Sequence, residues 1–172
     1  LQNLVSSAER RMIINKEGKT SIRMSDFSSV ISSINGKVEL VYEGEEEGAE
    51  QVSYNLISSA VKSIFNKYFP KIEKLSKPDE ITPYDKLLNW FSNKQLVIND
   101  NLNNKDYENL LNEVIDAKKL IKKYIPELND NDELFFVEFI LWGLESYNKL
   151  SILRTNNGIE YKDPFNNFIN KI

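Results

Sequence analysis

The chain has 172 residues, with 22 basic against 26 acidic side chains and a formal charge of −4. It contains neither histidine nor cysteine, which excludes thiol nucleophiles, imidazole bases, Ser-His-Asp triads and zinc sites built on those ligands. A chain of this length buries roughly 70% of the surface its unfolded form exposes, so its core needs no disulfide or metal; the mild acidic excess argues against a surface for duplex nucleic acid, which needs clustered Lys and Arg.

Leu1, Leu4, Val5, Ala8 and Met12 follow the helical period and predict a first helix that stops near Gly18. A short second helix is expected from Ser25, with Phe27, Val30, Ile31 and Ile34 as its apolar face and Asn35-Gly36 as its stop. Lys37-Val38-Glu39-Leu40-Val41-Tyr42 reads as either a short strand or an extended connector. Residues 48–69 carry the clearest helical pattern, with Val52, Leu56, Ala60, Ile64 and Tyr68 in one row and Ile57, Val61, Phe65 and Phe69 in the next. Two adjoining rows make a wide stripe, so this helix is expected at the centre of the core. Pro70 ends it, because proline cannot donate to the helical ladder.

Residues 71–83, with Pro78, form the expected linker between a helical unit at 1–70 and a second at 84–172. Thr82-Pro83-Tyr84-Asp85 is a helix-start signal, and Tyr84, Leu87, Leu88 and Phe91 would be the buried face of a helix running to about Asn93. After a polar loop at 99–104, Tyr107, Leu110, Leu111, Val114, Ile115 and Ile121 predict one long helix ending at Pro126. A further helix is expected from about Asp132 to Leu150, apolar over most of its circumference and therefore sandwiched. Phe165, Phe168, Ile169 and Ile172 in the tail from Asn157 suggest a short docking helix. The fold class read from these elements is an all-α bundle of about five to six helices, with the one segment at 37–42 as its only candidate for extended structure.

Several motifs invite a chemical reading. Gly18-Lys19-Thr20 ends like a P-loop, but the required earlier glycine falls on Ile13, a helix precedes it and a loop follows, so it reads as a turn. Glu43, Glu45, Glu46, Glu47 and Glu50 place five carboxylates in eight residues; their spacing matches no calcium loop, and acids before a long helix favourably meet its positive end. The segments at Asp100 and at 130–133 lack the glycine and terminal glutamate of such a loop. Trp90, Phe91, Phe135, Phe136, Phe139 and Trp142 recur at helical spacing without interleaved basic stretches, which makes them core aromatics and not a stacking platform. Arg10, Arg11 and Arg23, three of the four arginines, lie in the first 23 residues. They suit either a phosphate- or subunit-facing edge or ordinary pairing with Glu9 and Asp26.

No stretch reaches the ~20 apolar residues of a membrane helix; the densest, 134–144, is broken by Glu138 and Gly143. With no secretory leader, and 21 Asn and 18 Lys against four Arg, the chain reads as cytoplasmic, and as a piece of a longer protein from an AT-rich genome.

Leu4-Val5-Ser6-Ser7-Ala8-Glu9-Arg10-Arg11, then Arg23-Met24-Ser25-Asp26-Phe27, then Ile34-Asn35-Gly36-Lys37-Val38-Glu39-Leu40-Val41-Tyr42-Glu43-Gly44-Glu45, resemble the C-terminal region of magnesium-chelatase-like AAA+ ATPases. That family carries S-x-A-E-R-R before R-x-S-D and then I-T-G-K-V-E-L-V-Y-E-G-E-Q-E-G; here Asn35 replaces the threonine and Glu46 the glutamine. The resemblance implies a bacterial ATPase whose nucleotide-binding core lies upstream, with residues 1–70 as its helical lid and 84–172 as a C-terminal extension. It implies no cofactor within this chain, and ATP and magnesium in the upstream core, whose Walker motifs and arginine finger would precede Leu1. Its partners would be that core, further copies in a homo-oligomer and a protein client, with neither nucleic acid nor membrane. The surface available to such contacts would comprise Arg10, Arg11, Arg23, Lys37, Glu39, Glu43, Glu45, Glu46 and Glu47. A free-standing helical adaptor whose acidic turn docks a protein is the alternative, and a carboxylate-based enzyme a third.

Overall fold

The computed structural model describes residues 1–35, 48–72, 81–155 and 157–165. Among these, seven α-helices dominate and three short strands form one antiparallel sheet, so the fold is mostly helical but not all-α. The helices are α1 (Gln2–Ile14), α2 (Ser28–Asn35), α3 (Ala49–Tyr68), α4 (Asp85–Phe91), α5 (Asn104–Asn112), α6 (Ile115–Tyr124) and α7 (Glu133–Ser146). Two 3-10 turns, Met24–Phe27 and Asp130–Asp132, precede α2 and α7. The strands are β1 (Leu96–Asn99), β2 (Ser151–Thr155) and β3 (Gly158–Lys162).

The all-round apolar character of α7 has the expected consequence: residues 137–144 are buried without interruption, with α3, α5, α6 and the Met24–Phe27 turn packed around it. Of the two apolar rows on α3, only Ile57, Val61, Phe65 and Phe69 enter the core; Leu56, Ile64 and Tyr68 remain 51%, 44% and 45% exposed. Phe65 is the centre of this packing and meets the rings of Phe69, Tyr84, Phe139 and Tyr147. Its position depends on Gly143 of α7, where an added Cβ would lie 2.1 Å from Phe65 Cδ2. Glycine thus sets how closely α3 and α7 approach.

The sheet has the order β1-β3-β2. Leu96 and Ile98 point inward while Val97 and Asn99 point out, and on β3 Ile159 and Tyr161 are buried. Trp142 Nε1 donates to the Tyr161 hydroxyl at 2.8 Å, fastening α7 to the sheet. Gly158 lets β3 pass against β1, since a Cβ there would lie 2.1 Å from the Ile98 carbonyl oxygen.

Three expectations are corrected. The start of the tail, read as part of a stretch with a docking helix, is instead the strand β3 through Lys162, because Ile159 and Tyr161 alternate at period two and pair with both neighbouring strands; Phe168, Ile169 and Ile172 of the expected docking helix lie outside the described residues. The single helix expected up to Pro126 is two, since Val114 takes a non-helical backbone (φ −89°, ψ 57°). The break turns Ala117, Leu120 and Ile121 toward the same core as Tyr107 and Leu111. The stretch between the helix expected to about Asn93, observed as α4, and the polar loop expected at 99–104 carries no expected element, yet forms β1 at Leu96–Asn99. The 37–42 segment and the acidic residues 43–47 lie outside the described residues, as do 73–80 of the expected linker. One apolar cluster nevertheless contains Met24, Ile31, Ile57 and Phe65 together with Leu87, Trp142 and Tyr161, so the core is continuous across the expected 71–83 boundary.

Gly143→Ala forces a methyl group into the Phe65 ring and is expected to cost about 1–3 kcal/mol. Urea unfolding of the variant checks this, and Phe65→Leu in the same background should recover part of the loss by making room.

Candidate functional site

The first 3-10 turn gathers the polar residues that the sequence marks out. Ser7 and Arg11, one helical turn apart on α1, face the same way and both reach Asp26. Ser7 Oγ donates to Asp26 Oδ1 at 2.7 Å, while Arg11 Nη1 donates to Oδ1 at 2.6 Å and Nη2 to Oδ2 at 3.2 Å. The Arg23 backbone N–H donates to Oδ2 at 2.8 Å. Both charged side chains of this ion pair are almost wholly buried, at 3% and 2% exposure. Arg11 Nη2 also donates to the Ser21 carbonyl at 2.7 Å, which draws the loop after α1 onto the same centre.

Arg23 extends this network toward the rest of the molecule. Its guanidinium lies 3.8 Å above the Tyr107 ring and donates to the Leu102 carbonyl at 2.8 Å and to Asn104 Oδ1 at 3.2 Å. Asn104, the first residue of α5, uses its remaining donors on the same loop, with its backbone N–H to Glu17 Oε1 at 2.7 Å and Nδ2 to the Lys19 carbonyl at 3.0 Å. Tyr107 on α5 in turn donates its hydroxyl to Glu138 Oε2 of α7 at 2.6 Å, where the Met24 backbone N–H also arrives at 3.0 Å.

The electrostatics follow from burial. Glu138 is completely buried, and desolvation pushes its carboxyl up to about 7 even though the Tyr107 and Met24 hydrogen bonds and the Arg23 charge oppose the shift. Burial likewise raises the Tyr107 phenol well above its ordinary range, with the neighbouring Glu138 carboxylate adding to the effect. Burial and the nearby Arg11 charge lower the Arg23 guanidinium. Arg11 Nε, Arg23 Nε, Ser25 Oγ and Glu138 Oε1 have no hydrogen-bond partner in this interior.

Of the nine residues expected to form a contact surface, Arg10 is exposed. Arg11 and Arg23 are 2% and 1% exposed; they are interior ties and not surface residues, because their Nη donors go to the Asp26 carboxylate, the Ser21 and Leu102 carbonyls and Asn104 Oδ1, with the Tyr107 ring against the Arg23 guanidinium. For Arg11 the pairing with Asp26 is thus the correct reading. Lys37, Glu39, Glu43, Glu45, Glu46 and Glu47 lie outside the described residues. The Gly18-Lys19-Thr20 segment is the loop between α1 and the first 3-10 turn, with a helix before it. The six aromatics belong to the core or pack against it. Nothing in the sequence pattern marks Asn104 or Tyr107 as functional; for Glu138 the signal is its being the one acid within residues 134–144.

Two openings flank the network. A polar cleft of about 610 Å³ lies along Lys19, Thr20 and Ser21, and is bounded across from them by Lys118 and Glu133, which form an ion pair at 2.6 Å. An apolar groove of about 390 Å³ runs between Met24, Phe27 and Val30 on one side and Ile64, Tyr68 and Phe136 on the other. Among the described residues no group of three or more acids is placed to hold a metal ion, and no helix is long and apolar enough to cross a membrane.

Compared with protein-family models, with curated proteins and with solved structures, the chain gives no significant match.

Because Arg11 and Asp26 are buried together, removing one leaves the other uncompensated. Arg11→Met and Asp26→Leu are each expected to cost roughly 3–5 kcal/mol, and the double variant clearly less than the sum. Urea unfolding of all four proteins in the cycle measures this coupling.

Proposed function

We propose that the chain is the noncatalytic C-terminal helical region of a magnesium-chelatase-like AAA+ ATPase, coupling ATP binding and hydrolysis in an upstream core to contacts with other subunits or a protein client. The observation that carries this reading is the use made of the family-like residues. Ser7, Arg11, Arg23 and Asp26 bond to one another, Arg23 also bonds to Asn104 of α5, and Met24 bonds to α7. The sequence resemblance therefore coincides with a packing network, as expected when a motif preserves a rigid body and not a reactive centre.

Such a body suits a lid. Packed interiors do not deform continuously, so a displacement imposed at one face moves the whole unit. In this reading the outer face of α1 meets the upstream core: Leu1, Val5 and Ile13 are 90%, 40% and 71% exposed beside the exposed Arg10, and exposed apolar side chains grouped with a cation are common at contact surfaces. ATP and magnesium belong to that core, which would assemble as a homo-oligomer in the cytoplasm. The free-standing adaptor is the second reading, and the open apolar groove beside α3 is the observation that favours it.

Calorimetric titration of Mg-ATP into the isolated chain, with a phosphate-release assay on the same sample, is expected to give neither micromolar binding nor turnover. Micromolar affinity or hydrolysis by the chain alone would overturn the noncatalytic assignment.

A further inference from the structure

Glu138 is the one charged side chain in the buried run 137–144 of α7, and it is turned toward the N-terminal segment. Its Oε2 takes hydrogen bonds from the Met24 backbone and the Tyr107 hydroxyl, while Oε1 has no partner. The ionisable groups around it are Arg23 and Asp26 from the first 3-10 turn, Tyr107 from α5 and Tyr161 from β3, with Arg11 of α1 behind Asp26. Arg11 and Asp26 neutralise each other. The two Arg23 Nη atoms are directed to Leu102 and Asn104, so among the described residues no cation forms an ion pair with Glu138. A neutral acid suits this position, whereas an ionised one requires water.

Tyr107 and Tyr161 are core residues beside it, and the four-residue turn Met24–Phe27, which gives Glu138 the Met24 N–H, has two side chains that also line the open apolar groove. We propose that Glu138 is a proton-controlled latch: when neutral it lets the Met24–Phe27 turn close against α7, and when ionised it drives local opening of that turn together with α1, which follows through Asp26. Opening would widen the apolar groove, since Met24 and Phe27 form one of its walls.

The sign follows from the raised carboxyl. The closed form holds its proton up to about pH 7, whereas an opened, hydrated Glu138 releases it near the ordinary 4.5. The contribution to closure is therefore complete below about 4.5, is lost progressively as pH rises to about 7, and is absent above.

The test is hydrogen exchange of the Met24 amide by NMR, corrected for intrinsic exchange. Between about pH 5.5 and about pH 8 its protection factor is expected to fall on the order of tenfold or more in the wild type, while amides in the buried centre of α7 keep theirs. In Glu138→Gln, which retains an acceptor for Met24 and Tyr107 but cannot ionise, Met24 protection should not vary with pH. An equal fall in the variant, or an equal fall at all core amides of the wild type, would overturn the latch. The Glu138 side-chain carbonyl 13C shift in the wild type supplies a readout that needs no variant: a midpoint near 7 supports the proposal and one at the ordinary carboxylate value overturns it.

Discussion

The carboxylate of Asp26 is the constraint from which the rest of the architecture follows. It takes hydrogen bonds from Ser7, Arg11 and the Arg23 backbone, and the Asp26 carbonyl accepts from Ser29 Oγ at 2.6 Å, so α1, the 3-10 turn and the start of α2 share one centre. A buried ion pair of this kind adds little net stability over a well-packed apolar substitute, because desolvating two charges offsets their attraction. What it supplies is geometry. Once Asp26 is placed, Arg23 must point to the N-terminus of α5, and Met24 must present its N–H to Glu138.

From there the connection passes without interruption into the apolar interior. Glu138 belongs to α7, whose Gly143 admits Phe65 of α3 and whose Trp142 bonds to Tyr161 of the sheet. Polar ties therefore orient the N-terminal elements, and apolar packing around α7 holds the remainder. Glu138, whose carboxyl burial pushes up to about 7, stands at the junction between the two.

Long amphipathic or apolar stretches were legible in the sequence for simple reasons. α3 and α7 repeat their pattern over several turns, and α3 stops before Pro70 as a missing donor requires. The strands were not legible, because each has only four or five residues, too few for a period-two signal to stand out. Val114 continues the helical apolar pattern while its backbone leaves the helix; the break answers to the shape of the core, which local sequence does not carry. The charged site is ambiguous in sequence for a related reason. A charge near the start of a chain looks the same whether water or a buried carboxylate will face it. The discriminating clue was the four-residue spacing of Ser7 and Arg11, which aims both at one acceptor. On α3 the second apolar row looks equivalent to the first, yet Leu56, Ile64 and Tyr68 stay half-exposed, Ile64 and Tyr68 along the open groove that α3 shares with the Met24–Phe27 turn and the start of α7.

The proposed role makes this body the mechanical part of a larger machine, and the encoding gene is where that claim is most directly checked. Sequencing the reading frame upstream of Leu1 should reveal, in frame, a P-loop core with its acidic metal-binding strand and an arginine finger. An initiation codon immediately before Leu1, with no such core in the same polypeptide, would contradict the account and leave an independent adaptor in its place.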